Sequence, residues 1–230
     1  MRSRPDRVTG VPIYLEIGAK RAVAGAAEWP GWCRSARTEK DAVAALAAYA
    51  DRYRTVVDPA VGTFKPPKDA SELTIVKRLT GNATTDFGVP ALGLPTDGAP
   101  IADAELERLA RLVQAAWAAF DRAANAARGR ELRKGPRGGG RDLDKIVEHV
   151  SEAEKMYLVK LGARPPKPAG GRALRSEEQR AAIVAALRAR ARGRPVAQPS
   201  AARSLWTPRY FVRRAAWHVL DHAWEIEDRA

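Results

Sequence analysis

Cysteine and histidine are scarce in this chain: its 230 residues include one Cys and three His. The lone Cys33 excludes an internal disulfide framework and any zinc site built from several thiolates. A metal, if held, must therefore be held by imidazoles and carboxylates. Nothing near Cys33 marks an activated thiolate, so it reads as a small buried apolar residue. Long apolar runs are also missing. No stretch approaches the roughly 20 apolar residues that span a bilayer, and MRSRPDRVTG leads into no run of signal-peptide length. A cytoplasmic protein with no membrane partner is expected.

Basic residues are in excess, with a formal net charge of +13. Residues 100–230 hold 26 Lys plus Arg against 16 Asp plus Glu, net +10, so most of the excess lies in the second half. It gathers in two connectors, residues 128–141 (RGRELRKGPRGGGR) and 164–194. Such runs attract anions, although Ala and Arg are abundant throughout, as in proteins of GC-rich genomes. The aromatic residues are not interleaved with the basic runs, which argues against a stacking platform for single-stranded nucleic acid.

Along the chain, VPIYLEIGAKRAVA (11–24) predicts two strands about a turn at Gly18, and a third short strand follows at Trp32 to Arg37. From Thr38, TEKDAVAALAAYADRYRTVV carries an N-cap residue, acids in its first turn and apolar residues at helical spacing. A small antiparallel sheet covered by one helix is the simplest outcome. The order of strand, strand, WPGWCRSARTEKDAVAALAAY resembles the HicB-type module, although Trp32 interrupts the family's Pro-Gly-Cys-like turn. That resemblance implies the fold over about fifty residues. No helix-turn-helix signal accompanies it, so antitoxin activity is not carried over. The run ELTIVKRL (72–79) could add a strand to this sheet, and PALGLPTDGAP (90–100) is linker-like. The expected organisation is an α+β module over residues 1–90, a linker over 91–100 and an all-α four-helix bundle over 101–230.

Four helical segments make up that last region. The first starts at Asp103, the second is capped by Asp142, Ser176 can cap the third, and the fourth begins at Thr207 with Pro208 at its first position. All three histidines lie on the second and fourth. His218 and His222 are four residues apart, about 40° on a helical wheel, so both imidazoles can reach one ion. Each histidine borders the apolar face of its helix, as His149 does on the second. Two helices with histidines at equivalent rims can enclose a cleft with three nitrogen ligands at its mouth, an arrangement typical of catalytic metal sites. Taken singly, each histidine is better explained as a hydrogen-bonded residue at the core margin.

HVSEAEKMY in the second helix and WHVLDHAWEI in the fourth are similar to the DinB superfamily of four-helix-bundle metalloenzymes. That family places one His in the second helix and a His-x-x-x-His pair in the fourth, and His149, His218 and His222 match these positions. The family commonly carries Gln where Glu225 stands here. The resemblance implies a divalent metal such as Zn or Ni on the three histidines. It also implies a small-molecule substrate and chemistry of the thiol S-transferase or isomerase kind, with a low-molecular-weight thiol as cosubstrate.

Glu152, Asp221 and Glu225 each stand three residues from a histidine and are the candidate proton acceptors or imidazole-orienting carboxylates, though Asp221 or Glu225 could instead pair with Arg229. Arg214 lies on the histidine face and could hold a substrate anion. Lys134, Arg137 and Arg141 run through a glycine-rich loop into a helix N-terminus, which also favours an anion. That loop lacks the spacing of a P-loop. The alternative function is a non-catalytic metal- or anion-binding protein whose basic connectors contact nucleic acid or an acidic partner. A homodimer is open on either reading.

Overall fold

The computed structural model describes residues 10–135, 140–168, 170, 174–202 and 204–230. The chain divides into two units, Met1–Gly93 and Leu94–Ala230.

In the first unit, β1 (Val11–Ile17) pairs antiparallel with β2 (Ala22–Gly25) around a turn in which the Gly18 N–H donates to the Arg21 carbonyl at 2.9 Å. β2 pairs antiparallel with β3 (Cys33–Ala36). The run at 72–79 forms β4 (Leu73–Thr80), which lies beside β1 and parallel to it, giving the order β3-β2-β1-β4. The sheet is therefore mixed and not the antiparallel sheet expected. The connection explains the difference: β3 and β4 run the same way, and the segment between them is long enough for the crossover that such strands require. It contains α1 (Glu39–Ala48) and α2 (Ala50–Val61), because the single expected helix breaks at Tyr49, whose φ of −93° and ψ of 1° leave the helical ladder. Thr38 caps α1 as expected, its hydroxyl oxygen accepting from the Asp41 N–H at 3.1 Å.

The core of this unit explains the intrusive Trp32. Its ring is fully buried, its Nε1 donates to the Leu46 carbonyl at 2.9 Å, and it packs against Tyr53 and Phe64 at 6.1 and 4.9 Å between centroids. Each such ring contributes roughly 2–3 kcal/mol through burial. Cys33 is buried next to it. On β1, the buried Glu16 accepts from the Ala91 and Leu92 N–H groups at 2.7 and 3.2 Å, which fastens residues beyond the short α3 (Ala83–Asp86) to the sheet.

The second unit is mostly helical, with four long helices: α4 (Asp103–Ala126), α5 (Leu143–Lys160), α6 (Ser176–Ala191) and α7 (Pro208–Arg229). Leu106, Leu109, Val113, Trp117 and Phe120 of α4 are buried, and α7 is its most extensive packing partner. Ion pairs between Asp103 and Arg192, Glu107 and Arg188, and Asp121 and Arg180 show that α6 runs antiparallel to α4. The part of 91–100 that lies in this unit is bonded to α7 and does not behave as a free linker. Arg213 forks onto Asp97, with both side chains about 5% exposed, and Arg209 donates to Glu105 and to the Pro100 carbonyl. No helix among the described residues is long and apolar enough to cross a membrane.

Candidate metal centre

Local sequence positions the three histidines. Thr207 caps α7 by accepting from the Tyr210 N–H, and Pro208 supplies a preset φ at the first helical position. From there the helix carries His218 and His222 on successive turns. Asp142 caps α5 through the Lys145 N–H at 2.9 Å, and His149 follows two turns later. Packing of α5 on α7 brings the three rings together, with centroids 5.1, 5.0 and 4.7 Å apart. One nitrogen from each lies within 4.8 Å of the others, so the cluster could hold a metal ion.

The donor set fits such an ion. The Nε2 atoms of His149 and His218 are 3.2 Å apart. Two nitrogens bonded tetrahedrally to one ion at about 2.0–2.1 Å would be separated by roughly 3.3 Å. Metal ligation also requires neutral imidazoles. Burial, then the neighbouring His222 and His149, push the His218 pKa down to about 2, and burial likewise lowers that of His149. His218 Nδ1 is buried with no hydrogen-bond partner among the described residues. The third ring is held from behind: His222 Nδ1 lies 2.8 Å from Glu225 Oε2. The hydrogen bond from His222, followed by the nearby Arg229, holds the Glu225 carboxyl below the usual range, so it is an acceptor. Nδ1 therefore carries a proton, and in the neutral ring Nε2 is left with the lone pair, as in carboxylate–histidine–metal arrangements.

The other candidates are placed unequally. Glu225 bonds His222 through one oxygen and Arg229 through the other at 2.6 Å. Glu152 is 61% exposed and is engaged by Lys155 rather than by an imidazole. Asp221 is half-buried on α7, one residue before His222. Arg141 and Arg214 both bear on the site, since their positive charges help to depress His218. Arg214 also lies over the Trp217 ring at 5.0 Å and over the Tyr157 ring at 6.0 Å; burial raises the Tyr157 pKa and the Arg214 charge opposes that rise. Lys134 is exposed on the connector, and Arg137 lies outside the described residues.

Two features had weak sequence signals. Tyr157 stands edge-on to His218 at 5.7 Å, where the α5 pattern shows it only as an apolar-face residue. A cavity of about 670 Å³ is lined by Phe120, Asp121, Val150, Glu154 and Arg180, and the histidines are not among its lining residues. It reflects the polar group buried on the other side of α5, where a single acid in a helix reads as surface.

Comparison with known proteins gives no match: no family model, no curated protein and no solved structure is significantly similar to the chain.

Proposed function

We propose that the second unit is a four-helix bundle of the DinB-like type and that the chain is a metal-dependent enzyme with a divalent ion, Zn or Ni, on His149, His218 and His222. The single observation that carries this is the convergence of three imidazole nitrogens within 4.8 Å in a chain that contains no other histidine. Three protein ligands leave a coordination position for a small molecule. An ion held there would supply Lewis acidity, lowering the pKa of a thiol or water at that position. The chain's own residues supply the rest. Glu225 fixes the ring of His222, and Arg141 and Arg214 offer positive charge to an anionic substrate. Thiol S-transfer or isomerisation with a low-molecular-weight thiol is the reaction class this reading favours.

The rival, a non-catalytic binder that uses its basic connectors, has less support. Arg180, Arg188 and Arg192, from the more basic of the two runs, are bonded to α4 acids and are not held free for an external anion. Elemental analysis of the purified protein, with thiol consumption measured against an activated aryl halide, tests the enzyme reading. One equivalent of metal and turnover lost in His218→Ala are expected. Metal-free protein, or unchanged turnover in that variant, would overturn it.

A further inference from the structure

Among the described residues, the connector before α5 is bonded to the end of α7 around Arg229. Its side chain is 10% exposed, and each of its three nitrogens donates a hydrogen bond. Nη1 donates to Glu225 Oε1 at 2.6 Å, Nε to the Arg133 carbonyl at 2.8 Å and Nη2 to the Arg141 carbonyl at 2.8 Å. Return bonds run from the Arg133 N–H to the Arg229 carbonyl at 2.8 Å and from Arg133 Nη2 to the Asp228 carbonyl at 2.7 Å. Gly140 completes the cradle. Its φ of 142° is one that side-chain-bearing residues rarely adopt, and a Cβ there would lie 2.6 Å from Arg229 Nη2. A free guanidinium could swing away from such a methyl, but this one is pinned by three bonds and would have to break them.

We infer that Arg229 is a positioning residue for the histidine centre: clamped by the connector's carbonyls, it fixes the Glu225 carboxylate, which fixes the ring and tautomer of His222. The part that concerns metal affinity rests on the reading of the triad as a metal site, whereas the tautomer does not. The fork geometry matters because Arg satisfies the carboxylate and both carbonyls at once, which a Lys ammonium on its flexible stem does not reproduce. The connector thus acts at the site through its backbone, with Arg133 and Arg141 contributing carbonyl oxygens in addition to charge. Glycine at position 140 is required by this contact.

Imidazole nitrogen NMR of metal-free protein and chelator competition with Zn²⁺ test the inference together. In the wild type, His222 is expected as the Nδ1–H tautomer. In Arg229→Gln, the tautomers should mix and Zn²⁺ affinity should fall about 10–100-fold, the scale of an outer-shell loss at a metal site. Gly140→Ala should shift both readouts the same way with the charge of Arg229 retained, and Arg229→Lys should not restore them. In a Glu225→Gln background, Arg229→Gln should add little, because the two act in series. An unchanged His222 tautomer in folded Arg229→Gln would overturn the inference, as would a Zn²⁺ affinity within two-fold of wild type. If the wild type takes up no Zn²⁺ but the tautomer responds, the metal reading falls and the positioning role stands.

Discussion

Two buried polar groups share α5, about 140° apart on its wheel, and they are built on opposite principles. On one side, Glu154 meets Gln179 at 3.1 Å and Arg180 at 3.6 Å, and Arg180 forks onto Asp121. Acids face a base, and the group joins α4, α5 and α6. On the other side, three imidazoles turn nitrogens toward one another, and the carboxylate bonded to the set among the described residues, that of Glu225, sits behind His222. A cluster that serves packing alone gains by pairing unlike charges, since an uncompensated buried charge costs several kcal/mol. Three like bases gathered around one point gain nothing from each other once charged. Burial and the neighbouring imidazoles push the pKa of His218 and of His149 down, toward the neutral state in which an imidazole can bind a cation.

The comparison breaks most sharply through the response to metal. Excess Zn²⁺ at about a thousand times its dissociation constant should stabilise the wild type by roughly 4 kcal/mol, a rise in melting temperature of about 10 °C. His222→Ala should show almost none of that rise, while Glu154→Gln should show all of it. Equal rises in wild type and His222→Ala would make the triad a packing cluster like the other. The next largest effect belongs to the Glu154–Arg180–Asp121 group. Arg180→Met removes the partner of both Glu154 and Asp121 and should destabilise the fold by about 3 kcal/mol in denaturant titration. Zn²⁺ affinity should be unaltered, and a change in it would mean that the two groups are coupled through α5.

What could be read in the sequence follows the range of the interactions. The His218–His222 pair, the caps Thr38, Asp142 and Thr207, and the extents of α4 to α7 depend on residues within a turn or two of one another, and all four helices appear with nearly the expected ends. The i, i+4 bond of Glu225 to Arg229 was legible for the same reason. Linking it to His222 took the rotamer of a single carboxylate, which has two oxygens and serves both neighbours. Features decided by distant residues were not legible. The parallel docking of β4 on β1 depends on how a 36-residue connection folds back. The Arg213–Asp97 pair joins residues 116 positions apart and attaches a segment that reads as linker to α7. The Arg229 cradle is of this kind too: glycine and arginine near a helix start resemble an anion loop, and only the fold shows that its carbonyl oxygens accept from a cation instead, the Arg229 guanidinium of α7.

The smallest effect concerns the sign of a charge at Glu154. Burial raises its pKa, and Arg180, then Gln179, oppose that without cancelling it, while Asp121 adds to the rise. A carboxyl whose folded pKa lies above its unfolded one contributes stability below the unfolded value and loses it as pH climbs through the folded value. Wild type should therefore lose stability relative to Glu154→Gln on going from mildly acidic to neutral pH. At acidic pH the two should be nearly equal, since both then carry a neutral group that can accept from Gln179. Denaturant titrations of both proteins across that range decide it. A variant less stable than wild type at neutral pH would mean that the attraction of Arg180 outweighs desolvation, and the Glu154 group would then be a net stabilising ion pair.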